Sequence, residues 1–351
     1  MSVVPMPAPT MEKTHKPEPA ELIAQLSTGY MASACIQVAS RLKIADLLAD
    51  GPKPVQQLAI AAGANEDRLY RVLRVLASLG VFTETSGRTF ALTPAAECLR
   101  SDVPNSFRNM ALWMTSPFHF RTYSEILHSV KTGEITCDHV HGKPVFEYFP
   151  EHPEISELFN NAMTCMSEMV TPALLEAYDF AGIHTLMDVA GGHGALLRAI
   201  LNKHREMRGI LVDMEHVIDG AKQVPANQAV ANRCTFQSAD FFVELPTGAD
   251  AIIMKHIIHD WDNDKAVLIL KNCRKALAGK PGAKILLVES VLPEGNEPHL
   301  GKFIDLEMFV FPGGRERTEA EFRELFSQAN LRLTRVVPMK SPLWIVEGVP
   351  A

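Results

Sequence analysis

Three residues invite a chemical reading before anything else. His259 stands in His256-Ile257-Ile258-His259-Asp260-Trp261, Glu289 closes the apolar run KILLVE, and Glu316 lies in Gly313-Gly314-Arg315-Glu316-Arg317-Thr318. An imidazole, with a free pKa of ~6.5, is the side chain suited to take a proton near neutrality. A carboxylate on its second ring nitrogen would hold it in one tautomer. The natural proton source for such a base is a phenol-like hydroxyl of pKa ~10, since an aliphatic alcohol is far harder to deprotonate. Single histidines near strand ends are ordinarily structural, so His256 and His193 receive no role. His256 and His259 are three apart, not four as in a zinc-binding H-E-x-x-H helix. Cys137, His139 and His141 alternate in TCDHVHG without a clustered fourth ligand, and no metal is expected.

A second constellation is built from glycine and acid. Asp188-Val189-Ala190-Gly191-Gly192-His193-Gly194 precedes the helical pattern ALLRAILNKH. Such a turn lets a ligand approach the backbone at a helix N-terminus, although a plain structural turn has the same composition. A dinucleotide fingerprint starting at Gly192 needs Gly or Ala at 197, where the chain has Leu197, which counts against NAD and FAD. Asp213, before Met214, ends the next apolar run and could accept both ribose hydroxyls of an adenosine. Asp240 and Phe241 follow a third run, an acid beside aromatics suited to an adenine amino group and ring face. Acids in register at successive strand ends mark the ligand edge of an open α/β sheet.

The elements that must position these groups follow from periodicity. Residues 21–49 read as helix and stop at Gly51-Pro52; a short helix at 54–62 leads to a longer one capped by Asn65, with Leu69, Leu73, Leu76 and Leu79 on one side. VFTET and TFALT flank Ser86-Gly87 as a hairpin, completing a winged-helix unit. Arg68, Arg71 and Arg74 could meet phosphates, but Glu66 and Asp67 open that helix and the formal charge of the 351-residue chain is −7, so packing is the favoured role. Residues 101–180 are helical and rich in large apolar side chains, among them Trp113, Phe159 and Met163. From about 183, short β-rich runs alternate with helices, the grammar of a parallel sheet. The last two, LRLTRVV and LWIVEG, are joined too closely for a crossover and should form an antiparallel edge hairpin.

Composition narrows the class. Six scattered cysteines with no C-x-x-C pair suggest reduced thiols and a cytoplasmic protein. No apolar stretch approaches the ~18 residues of a membrane span. Residues 1–20 carry five prolines and read as a flexible tail, not a signal peptide.

DVAGGHG, LVDMEHVI, SADFF, KHIIHDW, LLVES and DLEMFVFPGGRERTEAEF, in this order, resemble the caffeic acid and hydroxyindole O-methyltransferase family. HVHGKPVFEYFPEHPEISELFNNAM and LASLGVF resemble it too, so the likeness runs from about 21 to 348. The resemblance implies a Rossmann-like class I methyltransferase sheet over 166–351, binding S-adenosylmethionine, and a helical winged-helix dimerisation domain over 21–165. It implies a homodimer, with no nucleic acid or membrane as partner. His259 matches the catalytic base and Glu289 and Glu316 its flanking acids. Asp188, Gly191, Gly192, Gly194, Asp213, Met214, Asp240, Phe241 and Lys255 would hold the donor; Trp113, Phe159, Met163 and Met308 the aromatic acceptor. Ala190 replaces the first glycine of the usual G-G-G-x-G run. The shortened segment before Gly313 is closer to bacterial relatives acting on polycyclic natural products. Competing expectations are a relative turned to decarboxylation or hydroxylation, and a metabolite-sensing DNA-binding regulator; retained His259 and the acidic charge favour the methyltransferase.

Overall fold

Seven strands, each a short apolar run, make the sheet that carries the candidate groups: β1 (Thr185–Val189), β2 (Arg208–Asp213), β3 (Cys234–Ser238), β4 (Ala251–Lys255), β5 (Lys284–Glu289), β6 (Leu331–Pro338) and β7 (Trp344–Pro350). Their order is β6-β7-β5-β4-β1-β2-β3, all parallel except β7, which runs antiparallel to both β5 and β6. Each predicted run is therefore a strand, and the closing hairpin sits at the sheet edge. The central strands read as unbroken apolar segments because helices cover both faces: Ile252 and Met254 point into one buried cluster, Ala251 and Ile253 into the other.

The computed structural model describes residues 17–351 other than Asn105, so most of the expected tail 1–20 lies outside the described residues. Contacts divide the chain at Asp102/Val103 into two compact units. The helical stretch 103–165, expected with the N-terminal domain, falls in the second unit. The reason is visible in its packing: the helices Arg108–Met114 and Pro153–Ala177 share an aromatic cluster with Val310 and Phe311.

In the first unit the helices Val55–Ala62 and Glu66–Ser78 and the strands Phe82–Thr85 and Thr89–Leu92 form the expected helix–helix–hairpin order. Asn65 caps the second helix by accepting the Arg68 N–H at 3.1 Å. Leu69, Leu73 and Leu76 are buried as expected, but Leu79 is 58% exposed, because the helix ends at Ser78 and the periodicity no longer applies. The helix Pro19–Arg41 exposes Leu22, Ile23, Leu26, Tyr30 and Met31. Among the described residues no helix is long and apolar enough to cross a membrane.

Leu286, fully buried on β5 between β4 and β7, has no room to collapse around a cavity. Leu286→Ala should cost about 2–5 kcal/mol, read as a lower denaturant midpoint at unchanged slope.

Candidate active site

The sheet delivers its polar groups to one edge. Asp188, Asp213, Lys255 and Glu289 lie at or next to the carboxyl ends of β1, β2, β4 and β5, and Asp240 lies two residues beyond β3. Parallel strands in register leave their ends for polar side chains, since the strand interiors are buried, and these groups share the carboxyl end.

At β1 the chain turns through Ala190, Gly191 and Gly192 into the helix Ala195–Lys203, with Gly194 as N-cap at φ 77°. Gly191 is obligatory, because a Cβ there would stand 2.6 Å from the Asp188 carboxylate. Asp213 fixes the loop from the neighbouring strand, its two oxygens accepting the N–H groups of Gly192 (2.8 Å) and Met214 (2.7 Å). Each oxygen keeps acceptor capacity for a further donor. Met214 is 51% exposed beside it. Burial, together with Asp213, raises the Asp188 carboxyl to about 7 despite the opposing pull of Lys255, and its Oδ2 has no hydrogen-bond partner among the described residues. Burial likewise pushes the Lys255 ammonium downward. The orphaned buried oxygen of Asp188 beside this glycine turn is an acceptor left for a donor group of a bound ligand. Exposed Asp240 accepts the Phe242 N–H at 2.8 Å, while Phe241 and Phe242 pack edge-on against Trp261, with centroids 6.1 and 4.8 Å away.

His259 sits past β4 in a single 3-10 turn, Ile258–Asp260. Its Nδ1 lies 2.7 Å from Glu316 Oε1 and 3.7 Å from Glu289 Oε2, and both acids are almost fully buried. Glu289 Oε1 accepts the N–H groups of Ile257 (3.0 Å) and Ile258 (2.9 Å), holding the turn against β5. Burial alone would depress the imidazole; Glu289, Glu316 and Asp260 outweigh it, so its basicity stands well above the ordinary range. Burial moves the Glu289 carboxyl upward in turn.

Glu316 arrives through contacts that spacing alone does not reveal. Val291–Leu292 pairs in parallel with Arg317–Thr318, a two-residue ladder that fastens the segment after Glu289 to the one after Glu316. The Glu316 N–H donates to Asp305 Oδ1 at 2.8 Å, and the Arg315 N–H to the His259 carbonyl at 2.7 Å. Gly314 is packed so closely that a Cβ would come within 1.9 Å of the His259 carbonyl oxygen. The buried guanidinium of Arg317 donates to the carbonyls of Ile258, Arg315 and Trp261 and to Asn263 Oδ1. Neither Arg317 nor Asp305 was singled out by the sequence; the GGRERT run was the available signal.

The expected acceptor residues fall in one region of the second unit. Trp113 is buried, 5.3 Å from Phe159 between centroids, with half-buried Met163 against the same cluster. Met308 accepts the Gly313 and Gly314 N–H groups through its carbonyl at 2.9 and 3.1 Å. Beside it Glu307 bonds His119 Nε2 (2.7 Å) and the Tyr123 hydroxyl (2.6 Å), a buried polar set that sequence reading missed because its members lie over 180 residues apart.

This sheet, with acids at or just past the ends of β1 to β3 and a carboxylate-held histidine past β4, is that of an S-adenosylmethionine-dependent methyltransferase. Residues 123–332 match the O-methyltransferase domain and residues 24–102 the O-methyltransferase dimerisation domain. The phenazine O-methyltransferase PhzM of Lysobacter antibioticus is 43% identical over 94% of this chain and 96% of its own. The crystal structure of LaPhzM superposes with a TM-score of 0.87 at 42% identity, covering 95% of this chain and 99% of that one. CalO1, a methyltransferase in calicheamicin biosynthesis solved in its SAH-bound form, gives 0.85 at 34% identity over 95% and 98%. The chain belongs to this O-methyltransferase family and uses S-adenosylmethionine.

Two predictions follow from the geometry. Because the acids favour the imidazolium, the neutral base accumulates only as pH rises through its raised pKa, so kcat/KM should climb into the alkaline range. Glu316→Gln removes one of these charges and should move that rising limb toward acid while lowering the plateau; a limb that stays in place would mean the pair is not titrating together. Ala190 holds φ 54°, a left-handed strain of about 1–2 kcal/mol for a residue with a Cβ. Ala190→Gly should therefore raise thermal stability, by about 1 kcal/mol, measured by calorimetry.

Proposed function

We propose that the enzyme methylates a phenolic or polycyclic aromatic hydroxyl, with His259 as the general base. The observation that carries this reading is the 2.7 Å contact of His259 Nδ1 with buried Glu316. The carboxylate accepts the Nδ1 proton and leaves the Nε2 lone pair for the acceptor hydroxyl. Glu289 stabilises the imidazolium that forms and holds the turn beneath it. When bound, S-adenosylmethionine supplies an electrophilic methyl group on a sulfonium. Asp188, Lys255 and the Gly191, Gly192 and Gly194 loop would hold its amino-acid end, Asp213 with Met214 its ribose, and Asp240 with Phe241 its adenine. Positioning and proton removal account for the protein's contribution, since the transfer needs no covalent help from a side chain.

Trp113, Phe159, Met163 and Met308 are the proposed wall against a flat aromatic acceptor, consistent with a relative named for phenazines. The first unit is the proposed homodimer module, and the exposed apolar side of Pro19–Arg41 suits a second copy.

Calorimetric titration with S-adenosylhomocysteine, with NAD as control, should give one site per chain for the former alone. His259→Ala should abolish methyl transfer while leaving that binding nearly unchanged. Near-normal turnover in this variant would remove the base assignment.

A further inference from the structure

The side chain that faces His259 from within its own motif has no part in the scheme above. The His256 ring lies 4.8 Å from the His259 ring between centroids, and its Nε2 is buried without a partner among the described residues. Its backbone holds φ 56°, a conformation non-glycine residues rarely adopt, while its N–H donates to the Val288 carbonyl at 3.2 Å. Glu289 Oε2 is likewise buried and without a hydrogen-bond partner. One ligand atom each from His256, His259 and Glu289 lies within 4.8 Å of the other two.

We propose that His256, His259 and Glu289 form a site for a borderline divalent transition ion of the zinc and cobalt kind, and that its occupation blocks methyl transfer. Two imidazoles and one carboxylate select such ions over magnesium or calcium, which take oxygen ligands. Three protein ligands leave a fourth position open, as in tetrahedral zinc sites of this composition. Ligand atoms around a tetrahedral zinc stand about 3.4 Å apart for bonds of about 2.1 Å, so side-chain rotation has only a short distance to close. The Ile257 and Ile258 amides already hold the other oxygen of Glu289, and His259 Nδ1 would exchange its hydrogen bond with Glu316 for the ion. Glu289 Oε2 approaches His259 at Nδ1 (3.7 Å), so an ion held there leaves the remaining ring proton on Nε2, which then has no lone pair for the acceptor's proton; binding and proton removal exclude each other. This blocking effect rests on the reading of His259 as the base; the binding itself does not.

Cobalt(II) titrated into the full chain, without donor or acceptor, tests the binding by visible absorption. A saturable band at one ion per chain is expected. It should weaken at least about tenfold in His256→Asn, where asparagine tolerates the left-handed backbone. His128→Gln, which alters the exposed pair of His128 with Glu134, should leave the band unchanged. Zinc should inhibit methyl transfer by the wild type, reversibly with chelator, and His256→Asn should resist it. No saturable band, or equal affinity in His256→Asn, overturns the site. A site that binds while zinc leaves transfer untouched overturns the block. A metal-free wild type without transfer would instead overturn the proposed function, and the cobalt titration would still judge the site.

Discussion

Two carboxylates buried beside one imidazole are the constraint around which the second unit is arranged. Glu289 and Glu316 are nearly inaccessible to water, and an uncompensated carboxylate in such surroundings would be strongly disfavoured. His259 supplies the compensation for both. Everything nearby acts to keep the three together: backbone amides on Glu289, Asp305 beneath the Glu316 amide, and the Arg317 guanidinium gathering the carbonyls of the turn. The same arrangement that steadies the acids makes the histidine a stronger base, so the stability of this region and its reactivity have one electrostatic origin.

The proposed donor side works by a different physics. Beside the charges of Asp188 and Lys255, backbone geometry does most of the shaping there. Gly191 clears the Asp188 carboxylate, Gly194 opens the helix, and Asp213 spends one acceptor direction of each oxygen on the loop. Ala190 shows that this geometry is enforced by its surroundings, since the residue keeps a left-handed backbone that its own methyl group opposes.

The legibility of the sequence followed interaction range. Strands β1 to β7 were readable because each is a local apolar run bounded by turn residues, and the closing hairpin because its connection is too short for anything else. Acids at strand ends were readable for the same reason. What escaped were contacts between segments distant in sequence: the ladder joining Val291–Leu292 to Arg317–Thr318, and the bonds of Glu307 to His119 and Tyr123. The resemblance put 103–165 with the N-terminal helices, whereas packing around Trp113 and Phe311 groups that segment with the second unit. Leu79 illustrates the smallest such error, a periodicity carried one residue past the helix end.

Gly314 has a consequence for how such an enzyme diversifies. With a Cβ position only 1.9 Å from the His259 carbonyl oxygen, the turn has no clearance for any side chain at that point. Substitution at Gly314 is therefore closed as a way to reshape the proposed acceptor site from beside His259. The proposed acceptor wall of Trp113, Phe159 and Met163 lies on other segments, in the aromatic cluster around Phe311. Steric exclusion thus fixes the His259 side of the proposed site, and any change of product has to be sought on the side away from that turn.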